Sequence, residues 1–420
     1  MRLYRGTLNL VAVCAATLIF VQVRAQQDGR QEQAAEVARP ERGGNGNQDS
    51  PRFHRHQGKS IPNSYIVVLD QDPTGAAGDP GLAAADADQV ILSTSSGRVK
   101  QVYAHAIRGF SAEMTEDDAL ALSNDPRVRF VEEDSVMEIV TTQTNATWGI
   151  DRIDQVARPL SGTYTYTSTG SGVNAYIIDT GIRTTHTQFG GRASVAFDAV
   201  GDGRNGIDCN GHGTHVSGTV GGSTYGVAKA VRLFAVRVLN CSGSGTTSGV
   251  IAGVDWVTGH HIGPAVANMS LGGGVSSALD TAVRNSIGSG VTYAIAAGNS
   301  NADASGFSPA RVSTAITVGA TTINDARSSF SNFGSVVDIF APGSSITSAW
   351  STSNTATNTI SGTSMATPHV TGVAARFLQH NRTASPAAVR NAIVNAASPN
   401  RLTGTPPGTA NRLLFWSGAQ

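Results

Sequence analysis

The chain has 420 residues, of which 40% are hydrophobic and 14% are charged, and it contains 48 glycines. This composition is typical of a loop-rich globular protein and excludes a coiled coil or a chain that is disordered throughout. Basic and acidic residues balance at 30 each, so bulk charge indicates neither a nucleic-acid partner nor a polybasic contact with a membrane.

The first 25 residues have the pattern of a secretory signal peptide. Arg2 and Arg5 precede an apolar run over residues 8–23, and a cleavage site follows at Ala25. A membrane anchor is the alternative, but polar residues interrupt the run and it is short for a bilayer span. We therefore expect a secreted, extracellular protein with no membrane contact.

The next two segments differ sharply in composition. Residues 26–60 are rich in Gln, Arg, Gly and Asn, which predicts a disordered leader. Residues 61–140 predict a small α+β domain, ferredoxin-like, in the order strand, helix, strand, strand, helix, strand. Its first strand covers 65–69, and the Gly/Ala/Asp-rich stretch 71–88 is predicted to be a loop. Thr115 is predicted to cap the second helix, because acidic residues follow it in the first turn.

Residues 141–420 alternate short apolar runs with helical patterns. Such alternation predicts an α/β domain with a parallel sheet covered by helices on both faces. The predicted strands cover 173–178, 231–239, 265–269, 291–297, 315–318 and 336–340, and the predicted helices cover 212–221, 247–259, 278–289 and 365–380. Chemistry in such sheets is found at the carboxyl ends of the strands.

Three residues have contexts that point to catalysis. Asp179 ends an apolar strand beside a Gly turn, although a carboxylate there also suits a turn or helix cap. His212 is flanked by two glycines at a predicted helix start, and with His215 it could instead ligate a metal. Ser364 begins a helix, where the dipole and its own N–H favour a developing oxyanion, although an isolated serine there is more often a cap.

Taken together, these contexts are more specific. The order Asp-Thr-Gly, Gly-His-Gly-Thr-His and Gly-Thr-Ser-Met-Ala resembles the subtilisin-type serine proteases, in the proteinase K/aqualysin branch. The resemblance extends over about 141–420 and implies a subtilisin-like three-layer sandwich around a mostly parallel sheet. Residues 61–140 resemble the family's inhibitory propeptide, which implies an autoprocessed zymogen cut near residue 140.

The resemblance also implies roles for individual residues. Ser364 is the nucleophile, His212 the general base, Asp179 its orienting carboxylate and Asn299 the oxyanion donor. A catalytically dead relative predicts loss of at least one of the four, and all are present. Small residues are expected to pair with an extended peptide and to line a roomy pocket for aliphatic or aromatic side chains, namely Gly243, Ser244, Gly245, Ser270, Leu271, Gly272, Ala296, Ala297 and Gly298.

No organic cofactor is expected, but structural Ca²⁺ is. By resemblance, the carboxylate of Asp338 and the backbone carbonyls of Ser313 and Ala315 form one calcium site. Part of a second site is expected at Asp151, Asp154 and Gln155. There, Ser161 and Thr163 stand where further ligands are expected to be Asp and Asn, and solvated surface acids are the alternative.

Two cysteines remain after the predicted signal peptide. Cys209 and Cys241 form one possible pair in an oxidising compartment, and two free thiols are the alternative. The resemblance implies that they are bonded. The expected partners are protein or peptide substrates and the chain's own propeptide, and the mature enzyme is expected to be monomeric.

Overall fold

The computed structural model describes residues 50–55, 60–70, 80–135 and 140–417. The predicted signal peptide, the leader up to residue 49, the first part of the 71–88 loop and the segment before the expected processing site lie outside the described residues. Among the helices that the model describes, none is long and apolar enough to cross a bilayer.

The N-terminal domain is a five-stranded sheet with two helices. The strands pair in the order β1-β5-β2-β4-β3, with β1 parallel to β5 and the other pairs antiparallel. The elements are β1 Phe53–His54, β2 Ser60–Leu69, α1 Pro80–Ile91, β3 Arg98–Tyr103, β4 Gly109–Glu113, α2 Glu116–Leu122 and β5 Val128–Ser135.

Side chains at alternate positions of β2 are buried in the core of this domain. Tyr65, Val67 and Leu69 lie on one face and are buried in the same cluster as residues of both helices. The predicted cap of α2 is confirmed, since the Thr115 hydroxyl accepts a hydrogen bond from the Asp118 N–H at 3.2 Å.

Two predictions for this domain are wrong. The stretch 71–88 is helical from residue 80, because Ala83, Ala87 and Val90 recur at helical spacing and are buried. The leader is ordered over 50–55, because Phe53 is buried in the core and β1 pairs with β5. The helix that begins at residue 80 is rich in alanine, and Phe53 is a single buried apolar residue in its segment. Neither pattern is strong evidence in the sequence for an ordered element.

The C-terminal domain contains the remaining elements. They are β6 Thr141–Thr144, α3 Trp148–Ile153, β7 Thr163–Tyr166, β8 Asn174–Asp179, β9 Ala193–Asp198, α4 His212–Gly221, β10 Arg232–Arg237, α5 Thr247–His260, β11 Ala265–Met269, α6 Ser277–Gly288, β12 Thr292–Ala296, β13 Ile316–Thr321, β14 Ile339–Pro342, β15 Ile346–Ala349, β16 Thr357–Ile360, α7 Thr363–His380, α8 Pro386–Ala396, β17 Ser398–Pro399 and β18 Arg412–Leu413.

Nine of these strands form one sheet in the order β17-β18-β14-β13-β12-β11-β8-β10-β9. Every pair is parallel except β17 with β18. The predicted parallel sheet is therefore confirmed. The last strand was predicted to begin at residue 336 but begins at Ile339. Before it, the Val337 N–H donates to the Gly334 carbonyl and closes a turn.

Helices cover both faces of this sheet. Along β8, Ala175 and Ile177 lie in one core cluster with α3, α4, α7 and α8, whereas Tyr176 and Ile178 lie in the other with α5 and α6. Strands buried on both faces require apolar residues at successive positions, which is the pattern of β8. The three layers bring the carboxyl ends of β8, β11 and β12 close to the first turns of α4 and α7.

Candidate active site

Asp179 is the last residue of β8, and its side chain is fully buried. One carboxylate oxygen, Oδ1, accepts a hydrogen bond from the Thr180 N–H at 2.7 Å and contacts Nδ1 of His212, also at 2.7 Å. Because Asp179 is held by backbone on one side, it fixes the orientation of the imidazole on the other.

His212 is the first residue of α4, and its side chain is 24% exposed. The helix cap before it, Gly211, has φ of +113°, and a Cβ at that position would lie 2.4 Å from the Trp350 ring. Only glycine fits both restrictions. This cap lets the chain turn sharply, so the imidazole starts the helix at the edge of the sheet.

The surroundings of His212 favour its protonated form. Burial opposes protonation, but the charge of Asp179, its hydrogen bond and the charge of Asp208 together outweigh burial and raise the pKa of His212 above its ordinary value of 6.5. Such a residue can take a proton and hold it beside a carboxylate, which is the behaviour needed in a general base.

Ser364 is the second residue of α7. Its hydroxyl donates to the Ser270 carbonyl at 3.1 Å, while the Ser270 hydroxyl donates to the Ser364 carbonyl at 2.8 Å. That carbonyl is available because Pro368, four residues later, has no N–H to bond it. No hydrogen bond joins Ser364 to His212 in the described structure, so a rotation of the hydroxyl would have to precede proton transfer.

Asn299 follows the carboxyl end of β12. Its side-chain oxygen accepts from the N–H and the hydroxyl of Thr363, at 2.8 and 2.9 Å. Both hydrogen bonds from Thr363 go to the amide oxygen, so neither N–H of the Asn299 amide takes part in them. These N–H groups remain available to donate to an oxyanion beside Ser364.

A groove of about 590 Å³ is lined by His212 and by the residues at 243–245 and 270–272 that were predicted to bind an extended peptide. A second pocket of about 300 Å³ shares residues 271–274 with the groove and is lined by Ser364, Ala296, Ala297 and Gly298. Its lining also includes Phe307, Ala310 and Asn299. The structure therefore brings the predicted peptide-binding residues together around Ser364.

Cys209 and Cys241 form a disulfide, with an S–S distance of 2.01 Å. The neighbouring Arg237 is fully buried and pairs with Asp198 and Asp202. These contacts tie the loop before His212 to the end of β10. The loop therefore does not depend on its own few apolar residues for its position.

At the first expected calcium site, both oxygens of Asp338 already have partners. Thr317 N–H donates to Oδ2 at 2.8 Å, and the guanidinium of Arg390, which sequence reasoning did not find, pairs with Oδ1. Burial nevertheless raises the pKa of Asp338 in spite of Arg390. Neither oxygen is left without a partner, so the contacts of Asp338 do not by themselves indicate a bound cation.

At the second expected site, the two carboxylates differ. Both oxygens of Asp151 accept hydrogen bonds from residues 161–162. Asp154 Oδ1, in contrast, is buried and accepts no hydrogen bond from the described residues. Burial, and after it the charge of Asp151, raise the pKa of Asp154 to about 6. Gln155 uses its amide within its own loop. An orphaned carboxylate oxygen fits a cation at Asp154 only.

A carboxylate at a strand end, an imidazole at one helix start and a hydroxyl at another define the class of serine hydrolases that use an Asp-His-Ser arrangement. The comparisons with known proteins narrow this class. The Subtilase family profile matches residues 170–413, and the profile of the peptidase inhibitor I9 family matches residues 64–140.

The chain is 52% identical to an extracellular serine proteinase of Thermus sp. (strain Rt41A), over 88% of this chain and 93% of the relative. It is 43% identical to proteinase R of Parengyodontium album, over 86% and 90% of the two chains. A crystal structure of a cold adapted subtilisin-like serine proteinase superposes with a TM-score of 0.63 at 58% identity, covering 65% of this chain and 98% of the other.

The chain belongs to the subtilase family. It is a subtilisin-like serine proteinase of the proteinase K branch, preceded by a propeptide of the inhibitor I9 type. The predicted fold, family and class of enzyme are confirmed.

Proposed function

We propose that this chain is made as a secreted zymogen and matures to a serine endopeptidase with Ser364 as nucleophile. The observation that carries the proposal is that His212, paired with Asp179, lines the groove, while Ser364 and Asn299 line the pocket that adjoins it at the carboxyl edge of the sheet.

The reaction begins with the Ser364 hydroxyl turning from the Ser270 carbonyl towards His212. His212 Nε2 takes the hydroxyl proton as Oγ bonds to the substrate carbonyl carbon, and Asp179 stabilises the imidazolium. The proton then passes to the leaving amine as the C–N bond breaks, which leaves an acyl-enzyme. Water, deprotonated by His212, adds to the ester carbonyl carbon. The bond from that carbon to Ser364 Oγ then breaks, which releases the carboxylic acid, and His212 returns the proton to Oγ.

The negative oxygen of the tetrahedral intermediate is bound by the Asn299 side-chain amide and the Ser364 N–H. Asn299→Ala is expected to lower kcat by about 10²–10³-fold with little change in KM, because the donor acts in the transition state. The measurement is steady-state hydrolysis of a chromogenic peptide. An unchanged kcat would remove Asn299 from the oxyanion site.

Endopeptidase action is inferred from what the groove lacks. Among the described residues that line the groove and the pocket, His212 is the one titratable side chain, and no carboxylate, lysine or arginine is present. Exopeptidases commonly hold the charged chain terminus with a side chain of opposite charge. Peptides with blocked termini are therefore expected to be cleaved internally, and cleavage of free-ended peptides alone would contradict the inference.

The pocket beside Ser364 sets the preference for the residue before the cut. Its walls are small or apolar, and Phe307 offers an aromatic face. Aliphatic and aromatic residues should therefore be preferred over charged ones, because a charged side chain would lose its hydration without gaining a partner. A peptide library digested with the mature enzyme measures this preference directly.

Maturation is proposed to cut the chain near residues 140–141 and to leave residues 61–140 as an inhibitor. The support is the match of residues 64–140 to an inhibitor family and the start of β6 at Thr141. Secretion is inferred from the N-terminal pattern and from relatives named as extracellular. N-terminal sequencing of protein from the medium tests both, and a mature start far from residue 141 would contradict the cut.

Structural calcium is proposed at Asp154, whose Oδ1 is buried and has no partner among the described residues. A bound Ca²⁺ would supply positive charge to this carboxylate, whose pKa burial raises to about 6. Chelation by EDTA is expected to lower the Tm of the mature enzyme, and Asp154→Asn to remove most of that response. An identical Tm with and without EDTA would count against the site.

A further inference from the structure

Asn332 lies in the segment after β13 and is completely buried, yet it touches neither the groove nor the pocket. Its side-chain oxygen accepts hydrogen bonds from the N–H groups of Ser300 and Ala302, at 2.9 and 3.0 Å. Its side-chain nitrogen donates to the Ala297 carbonyl at 2.8 Å. One amide thus holds both sides of Asn299.

The backbone around Asn332 reinforces this contact. Its own N–H donates to the Gly298 carbonyl at 2.9 Å. On either side, Asn301 N–H donates to the Phe330 carbonyl at 2.9 Å, and Phe333 N–H donates to the Ala302 carbonyl at 3.0 Å. The loop that carries Asn299 is therefore bonded along its length to one neighbouring segment, with Asn332 at the centre.

The partners also fix which way the amide points. Two N–H groups face one side-chain atom and a carbonyl faces the other, so only oxygen on the first side and nitrogen on the second satisfies all three. An aspartate of the same shape would keep the two acceptor contacts but set a negative oxygen against the Ala297 carbonyl.

Gly298 shows how closely Asn332 approaches this loop. A Cβ on Gly298 would lie 2.4 Å from the Asn332 side-chain nitrogen, and its φ is +103°. The loop can therefore take its path only with glycine at 298, and Asn332 packs directly against that glycine. Asn299 itself is exposed, and its contacts to Thr363 fix the amide but not the backbone.

We propose that Asn332 is a positioning residue for the oxyanion site, acting through the backbone on either side of Asn299. This inference rests on the proposed role of Asn299. The oxyanion must lie within about 2.7–3.1 Å of its donors, so a small displacement of the loop weakens transition-state binding without removing any group that touches substrate.

The test is a double-mutant cycle between Asn332→Asp and Asn299→Ala in the full chain, allowed to mature and counted by titration with a serine-directed fluorophosphonate. Hydrolysis of a terminally blocked chromogenic peptide gives kcat and KM per active site. Asn174→Asp is the matched control, because Asn174 is equally buried and donates to the Ile262 carbonyl at the opposite end of the sheet. Asn332→Ser is the second variant if Asn332→Asp fails to mature.

Asn332→Asp is expected to lower kcat about 10–100-fold, and Asn174→Asp to leave it unchanged. In the Asn299→Ala background, Asn332→Asp should change kcat by no more than about a factor of two, because the group it positions is gone. Full additivity, or an unchanged kcat in Asn332→Asp, would overturn the inference. An unchanged kcat in Asn299→Ala alone would instead overturn the oxyanion assignment.

Discussion

Asp208 is a second carboxylate close to His212, and no arginine or lysine of the described residues pairs with it. It accepts five hydrogen bonds: from the Thr180 hydroxyl, from the N–H groups of Asn210 and Gly211, and from the N–H and hydroxyl of Thr214. Asp208 thereby joins the loop after Asp179 to the first turn of α4, and its charge adds to that of Asp179 in raising the pKa of His212.

Asp208→Asn should move the acid limb of kcat/KM to lower pH. The base is active when neutral, so activity rises with pH through the pKa of His212, and loss of a nearby negative charge lowers that pKa. The measurement is kcat/KM against pH for wild type and variant. Asp325→Asn, which removes a buried carboxylate paired with Arg152, is the control. An acid limb that stays in place would show that Asp208 has no electrostatic effect on His212.

A candidate site residue is easier to find when its sequence neighbours indicate its position in a helix or strand. Asp179 lies at a strand end, His212 follows a glycine at a helix start, and Ser364 lies in a first helical turn, as their neighbours indicate. Asp208 acts on the His212 ring through its charge, and Asn332 acts through backbone groups of a loop about 30 residues away in the chain. Nothing in their local spacing separates them from ordinary turn residues.

At the scale of elements, α4 and α7 each carry a catalytic side chain in the first turn and a buried histidine further on. His215 contacts the Ile346 carbonyl, and His369 contacts the Met365 carbonyl. Burial lowers the pKa of each to about 4. Both helices therefore remain folded with neutral imidazoles in their core.

These histidines should make the fold lose stability in acid. An unfolded histidine binds a proton below about pH 6.5, whereas each buried one does so only near pH 4, so their stabilising contribution is complete above 6.5 and lost as the pH falls. The free energy of unfolding, measured by urea in the inactive Ser364→Ala precursor, should fall by a few kcal/mol from pH 6.5 to 4. His369→Gln should flatten this slope, and an equal slope in both proteins would contradict the assignment.

The disulfide is expected to stabilise the His212 loop. Replacing Cys209 and Cys241 together by serine should cost about 3–4 kcal/mol on the chain-entropy model, because the unfolded chain regains the freedom of the closed loop. Thermal unfolding of the Ser364→Ala precursor with and without the pair measures the loss. A Tm that does not change would mean that the Arg237 contacts alone hold the loop.

Fully buried elements were predicted more accurately than half-exposed ones. Helix 212–221 and strand 265–269 have the predicted bounds, and after His212 every residue of both is buried. The predictions did not include β9, the hairpin of β15 with β16, or α8. These elements are short or half-exposed, so their sequences carry only part of a repeat.

At the scale of the whole molecule, the described residues form two large sheets of different kinds, besides the two-stranded sheets β6-β7 and β15-β16. The N-terminal sheet is mainly antiparallel with its two helices in one core, and the C-terminal sheet is mainly parallel with helices on both faces. Continuous apolar strands alternating with helices predicted the parallel C-terminal sheet, whereas the N-terminal domain was predicted only as α+β, without strand directions. The order of the nine strands depends on long-range pairing and could not be derived from local patterns.

The central claim is that Ser364 is the nucleophile of a serine endopeptidase, and active-site labelling tests it most directly. The matured chain is treated with a fluorophosphonate, digested, and the modified peptide is identified by mass spectrometry. We expect one label, on Ser364, with loss of hydrolysis of a terminally blocked peptide in proportion to labelling, and neither label nor activity in Ser364→Ala. A label on another serine, or full activity in Ser364→Ala, would contradict the claim.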